Sequence, residues 1–120
     1  MRETMWTFET KNLRIVWEIE PDNDLDLSFD DTGEVAEKLD SGEYVAFISR
    51  VYVQDKRTDS VLGEDHLGGS IYANPAGFRD HIGMNARGHG SYFSDMVRAA
   101  CAEARKTLKA MRPIRVRNTG

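Results

Sequence analysis

The chain is poor in the residues that disulfides, metal sites and covalent catalysis use. Its 120 residues include one cysteine, Cys101, and three histidines, His66, His81 and His89. A single cysteine excludes an internal disulfide and is compatible with a reducing compartment. No two histidines have the i, i+4 spacing of a helical metal site, so a zinc site or a His/Asp acid–base pair would require the fold to assemble them. We therefore expect no metal, no cofactor, no catalytic residue and no enzymatic activity.

Long apolar runs are also absent. No segment approaches the ~18 residues that a membrane-spanning helix needs, and the first nine residues, MRETMWTFE, lack the apolar core of a signal peptide. A composition of 40% hydrophobic and 30% charged residues is typical of a soluble globular protein. We expect a single cytoplasmic domain over residues 1–120, without a membrane partner.

Charge is present in quantity but is unevenly distributed. Residues 1–65 contain 17 Asp/Glu and 7 Lys/Arg, whereas residues 66–120 contain 3 and 9. From Glu18 to Glu43 there are eleven carboxylates and one cation, Lys38. Such an acidic segment suits electrostatic steering toward a basic partner. The alternative interpretation is an acidic surface that only keeps the protein soluble.

Alternation of apolar and polar residues predicts four strands. The first spans residues 5–8, and the second begins at Leu13, has every second residue apolar and ends near Pro21. In residues 44–54 both the odd-numbered and the even-numbered positions are largely apolar. This favours a central strand that is covered on at least part of both faces. Residues 61–72 return as a fourth strand, in which the glycines indicate a bulge or a close backbone contact: Gly63, Gly68 and Gly69.

Three helices are predicted. The long one, Ser91–Met111, has apolar residues at three- and four-residue steps, begins with Ser91 as its cap and is expected to end before Pro113. Residues 112–120 then form a basic, partly frayed tail. A shorter helix over residues 33–41 is capped by Asp31 or Thr32. Asn74 and Pro75 open a turn or a short third helix that runs through residues 78–81. The order β-β-α-β-β-α-α predicts an α+β fold of about four mostly antiparallel strands, with the long C-terminal helix packed on one face of the sheet.

Two stretches resemble known ligand-binding motifs but lack residues that those motifs require. Residues 63–70, GEDHLGGS, have the glycine spacing of a phosphate-binding P-loop, but Gly69 stands where the motif requires lysine, and strand follows instead of helix. Residues 22–26, DNDLD, resemble the start of a calcium loop. An EF-hand would then need glycine at Leu27 and glutamate at Gly33.

The turn before the long helix is a candidate anion site. It combines a cation, flexible backbone and the free N–H groups of a helix start, which together suit a phosphate or a carboxylate. The candidate residues are Arg87, Gly88, Gly90 and Ser91. A glycine-rich loop that only caps the helix is the alternative interpretation.

Four segments of the sequence support a resemblance: FETKNLRIVWEIEP, DTGEVAEKLDSGEYVAFISRVYV, DHLGGSIY and SYFSDMVRAACAEARK. In these the chain resembles a group of small uncharacterised bacteriophage-encoded proteins, which implies a phage or mobile-element origin. In size, acidity and lack of catalytic motifs the chain is similar to anti-CRISPR proteins.

The leading hypothesis is a non-enzymatic phage accessory protein that inhibits a host defence complex, most plausibly a CRISPR effector, in the host cell cytoplasm. Its acidic segment would occlude a basic nucleic-acid-binding surface of that complex. The expected partner-binding residues are Asp22, Asp24, Asp26, Asp30, Asp31, Glu34 and Glu37.

Direct nucleic-acid binding is not expected, because the basic tail has no interleaved aromatic residues and follows an acidic body. Two alternatives remain. One is a small-molecule or anion-binding protein, or a small enzyme, that uses the Arg87–Ser91 turn. The other is a homodimeric structural module that pairs through an uncovered sheet edge or through part of the long helix.

Overall fold

The computed structural model describes the backbone of residues 2–80 and 92–119 and the side chains of residues 2–75, 77–79 and 92–110. Strands and helices follow each other in the order β-β-α-β-β-α-α. The strands are β1 Glu3–Glu9, β2 Leu13–Pro21, β3 Val45–Asp55 and β4 Val61–Tyr72. The helices are α1 Glu34–Ser41, α2 Ala76–Asp80 and α3 Tyr92–Thr119.

The four strands form one antiparallel sheet in the order β1-β2-β3-β4. Short polar turns join β1 to β2 and β3 to β4, whereas β2 and β3 pair across the longer connection that contains α1. Helix α3 packs on β3 and β4, on one face of this sheet. The predicted α+β fold is therefore confirmed, and the strand bounds differ from the predicted ones by no more than two residues at either end.

The core between α3 and the sheet is built around aromatic rings. Trp17 is buried between Phe78 and Phe93, with ring centroids 5.6 and 5.3 Å away. Its indole nitrogen donates a hydrogen bond of 3.0 Å to the hydroxyl of Ser49, which is itself fully buried. This bond allows Trp17 to lie in the core without leaving a buried donor unpaired.

Helix α3 approaches β4 most closely at Gly63. A Cβ atom added there would overlap the carbonyl oxygen of Ala100 and lie 2.6 Å from the backbone nitrogen of Ala104. Both alanines are buried, so small residues on both elements allow the two backbones to touch. One turn further along α3, the hydroxyl of Thr107 donates a hydrogen bond of 2.8 Å to the carbonyl of Leu62. The close backbone contact predicted at Gly63 is confirmed.

The predicted end of α3 is wrong. The helix continues to Thr119, so Pro113 lies inside it and residues 112–119 are not a separate tail. A proline removes one backbone donor and crowds the carbonyl four residues earlier, but the helix tolerates this penalty here. Although α3 has 28 residues, neither it nor the other described helices are apolar enough over a sufficient length to cross a membrane.

The Gly63 contact gives a direct stability prediction. Gly63→Ala places a methyl group against helix backbone that cannot move aside, so we expect the free energy of unfolding to fall by about 1–3 kcal/mol. Gly68→Ala in the same strand is the matched control, because its Cβ would lie 3.6 Å from the nearest atom, and a change below about 0.5 kcal/mol is expected. Equal losses in urea denaturation of the two variants would contradict the close approach.

Candidate partner-binding surface

The acidic segment, residues 22–43, leaves the sheet at the end of β2 and returns at the start of β3. Asp22 fixes its first turn, because one carboxylate oxygen accepts the N–H of Gly69 at 2.8 Å and the other accepts the N–H of Asp24 at 3.2 Å. The N–H of Asp22 also donates to the carbonyl of Ala46 at 3.1 Å. The start of the segment is thus tied to both β3 and β4.

Asp30 organises the other end of the loop. Its carboxylate accepts the N–H groups of Val35 at 3.2 Å and Ala36 at 3.0 Å, which are free donors in the first turn of α1. The predicted cap Thr32 contributes less, since its hydroxyl accepts only the N–H of Glu34 at 3.3 Å. The main cap of α1 is therefore Asp30, which lies one residue before the predicted choice of Asp31 or Thr32.

Two further carboxylates of the predicted set also have internal partners. Asp26 accepts the N–H of Ser28 at 2.9 Å, and this backbone hydrogen bond lowers the pKa of Asp26. Glu34 forms an ion pair of 3.4 Å with Lys38, one helical turn later. Lys38 in turn lies over the ring of Tyr44, and its hydrogen bond to the Tyr44 hydroxyl is the main cause of its raised pKa.

The remaining carboxylates of the segment point to solvent. They are exposed, and their side chains form no hydrogen bond or ion pair with any residue that the structure describes: Asp24, Asp31, Glu37, Asp40 and Glu43. The first three belong to the predicted partner-binding set. Asp40 and Glu43 do not belong to that set, although the spacing of three residues between Glu37 and Asp40 places both on adjacent turns of α1. These five residues are called the free carboxylates below.

On the face of the sheet opposite α3, called the open face below, the carboxylates are paired with cations. A chain of ionic contacts crosses it from one strand to the next. Glu18 lies 3.4 Å from Arg2 and 3.1 Å from Arg50, and Arg50 lies 3.3 Å from Glu64, whose carboxylate lies 2.7 Å from His66. The contacts to His66 and Arg50 hold the pKa of Glu64 below its ordinary value of 4.5.

The other glutamates of this open face are paired as well. Glu20 lies 3.5 Å from Arg2, and Glu9 lies 3.0 Å from Lys56 and 3.7 Å from Arg14. All four glutamates of the face thus have a cation within ion-pair distance. In the acidic segment, by contrast, only Glu34 has one among the described residues. The unneutralised negative charge is concentrated on the loop and α1.

The other residues considered from sequence do not form a site in the described part of the chain. His66 is exposed on β4, and Cys101 is half-buried on α3. No group of three metal-ligating side chains is present among the described residues. The candidate anion site of Arg87, Gly88, Gly90 and Ser91 lies outside the described residues, as do His81 and His89.

Comparison with known proteins gives no relative from which residue roles could be transferred. No protein-family model, curated protein or solved structure matches the chain. Roles in this protein are therefore inferred from its own geometry and charge.

The capping role of Asp30 is testable by hydrogen exchange. Asp30→Ala leaves two donors of α1 without acceptors, which costs about 1 kcal/mol. Because no residue of α1 is buried, we expect this loss to appear locally, as amide exchange of Val35, Ala36 and Leu39 about fivefold faster. Asp31→Ala, which removes an exposed carboxylate without a partner, should leave these rates unchanged. Similar rates in the two variants would contradict the assignment.

The ionic chain predicts a dependence of stability on pH. The folded pKa of Glu64 is depressed below 4.5, so its contribution is fully present above pH 4.5 and is lost as pH falls through the folded value. Urea denaturation at pH 5 and pH 3 should therefore show a smaller drop in unfolding free energy for Glu64→Gln than for the natural chain. Glu43→Gln, a free carboxylate, serves as control and should follow the natural chain.

Proposed function

We propose that the protein is non-enzymatic and binds a basic, nucleic-acid-binding surface of a partner protein through its acidic segment. The supporting observation is the contrast between the two charged regions. Glutamates on the open sheet face are neutralised by neighbouring cations, whereas the free carboxylates have no cation among the described residues. The described fold makes no use of these five side chains, so they are available to a partner.

The arrangement of the free carboxylates suits a lysine- or arginine-lined groove. Glu37 and Asp40 lie three residues apart on α1, a separation of about 4.5 Å along the helix axis. The loop before them is held by the hydrogen bonds of Asp22 and Asp30. A surface that is already ordered loses less conformational entropy on binding. Its carboxylates would release counterions from the groove, as nucleic-acid phosphates do.

The resemblance to bacteriophage-encoded proteins supports a host defence complex as the partner. The protein would then act in the host cell cytoplasm. Among such complexes a CRISPR effector fits this chemistry best, because it holds its guide–target duplex in a positively charged channel. The acidic segment would occupy that channel and exclude the nucleic acid. Electrostatic attraction of this kind mainly accelerates association and provides specificity.

The two alternatives from the sequence stay predictions. In the sheet order β1-β2-β3-β4, the outer strands β1 and β4 are the edges through which a homodimer would pair, unless it used part of α3 instead. The anion site would depend on the Arg87–Ser91 turn, which lies outside the described residues.

The proposal predicts the effect of neutralising charge on the acidic segment. Binding to a panel of purified DNA-targeting CRISPR effector complexes is measured for the natural chain and for the triple variant Asp24→Asn, Asp31→Asn, Glu37→Gln. We expect the affinity of the triple variant to fall by about tenfold or more, since each exposed charge pair contributes on the order of 0.5 kcal/mol.

A matched control changes the net charge by the same amount at positions outside the acidic segment. Ala99, Ala102 and Ala110 are exposed on α3, and their replacement by lysine raises the net charge by the same amount as the triple variant. The control should bind like the natural chain. Equal losses would show that only net charge matters, and failure of the natural chain to bind any effector would remove the CRISPR assignment.

A further inference from the structure

A pocket of about 330 Å³ lies at the base of the acidic segment. Pro21 and Val45, the residues at which the chain leaves and re-enters the sheet, both line it. The other lining residues come from β1, from the same two strands and from the turn before α2: Glu3, Ile19, Glu20, Ala46, Phe47 and Pro75. Its volume lies in the range of pockets that bind organic ligands.

The apolar part of this pocket is firmly supported. Phe47 is 1% exposed, and its ring lies 5.9 Å from that of Tyr72 and 5.8 Å from that of Phe78. Ile19, on the neighbouring strand, is also buried. Because these side chains belong to the core, the pocket is part of the folded structure and needs no rearrangement to form.

One unpaired carboxylate completes the lining. Glu3 lies opposite Ile19 in the register of β1 and β2, on the same face of the sheet, and has no ion pair with any described residue. Glu20 borders the pocket through its backbone, because its carboxylate is turned to the open face, where it pairs with Arg2 at 3.5 Å. An apolar pocket bordered by negative charge fits a ligand with an aliphatic stem and a cationic end. Lysine and arginine side chains have this construction, since they bury their methylene groups while the charged end remains at a polar boundary.

We propose that this pocket receives a lysine or arginine side chain of the partner protein. The assignment of that side chain to a partner rests on the proposed function, because the pocket lies where the acidic segment joins the sheet. A basic side chain inserted there would anchor the complex, as arginines in preformed interface pockets often do. The free carboxylates would then steer the approach, and the pocket would fix the orientation.

Two other cavities formed by described residues fit this role less well. The one on the open sheet face measures about 50 Å³ and is lined by the paired charges of Arg2, Glu18 and Arg50. The other, of about 320 Å³, runs beside β4 from Leu67 to Tyr72 and has no acidic residue in its lining.

Side-chain analogues test the pocket directly. The ¹⁵N-labelled full chain is titrated with n-butylammonium and n-butylguanidinium, which reproduce the lysine and arginine side chains, and with neutral n-butanol. We expect saturable amide shifts at Glu20, Ala46 and Phe47 with a Kd in the millimolar range for the two cations. The same shifts with n-butanol at equal affinity, or no shifts with the cations, would overturn the proposal.

Charge variants supply the control. Glu3→Gln should weaken the binding of both cations about tenfold. Glu9→Gln removes the same charge at the other end of β1 and should not change the binding. Equal weakening in the two variants would contradict the assigned role of Glu3.

The two proposals can fail separately. If the analogues do not bind but the triple variant of the acidic segment loses effector binding, the pocket assignment falls and the proposed function stands. If the analogues bind and the triple variant retains full effector binding, the pocket stands as a site for basic side chains and the acidic-surface mechanism falls. Loss of effector affinity in the Glu3→Gln variant would support the insertion of a partner side chain.

Discussion

The close approach of α3 to β4 at Gly63 is the constraint on which the rest of the structure depends. Because the two backbones touch there, the N-terminal part of the helix can reach across the sheet and bring Phe93 against Trp6 and Trp17. Helix α3 thus covers one face of the sheet, and no described helix packs comparably on the opposite face. The open face is covered by charged side chains instead, and its glutamates and cations neutralise each other across the strands.

This division determines where negative charge is available. The glutamates on the open sheet face are held by arginine, lysine or histidine. Three carboxylates of the acidic segment are held by backbone N–H groups: Asp22, Asp26 and Asp30. The five free carboxylates lie on the loop and α1. The apolar pocket lies where this segment joins the sheet, at Pro21 and Val45. An ordered acidic surface beside a pocket is a combination that a basic protein surface can recognise.

Much of the fold could be predicted because it follows from local patterns. Alternation located the strands, and the spacing of apolar residues located α3 up to Pro113. The roles of the carboxylates could not be predicted in this way. Asp22 accepts from Gly69, a partner 47 residues away, and Asp30 caps α1 across a left-handed Gly33. The pocket likewise joins Glu3, Phe47 and Pro75, which only the folded chain brings together.

The central claim is that the acidic segment takes the place of nucleic acid on a basic protein surface. A competition experiment tests it most directly: a purified CRISPR effector complex that binds the chain is titrated with labelled target DNA at increasing concentrations of the chain. The account predicts that the apparent Kd for DNA rises in proportion to the chain concentration, with both affinities falling as salt increases. Simultaneous binding of the chain and DNA to one effector, with an unchanged Kd for DNA, would contradict it.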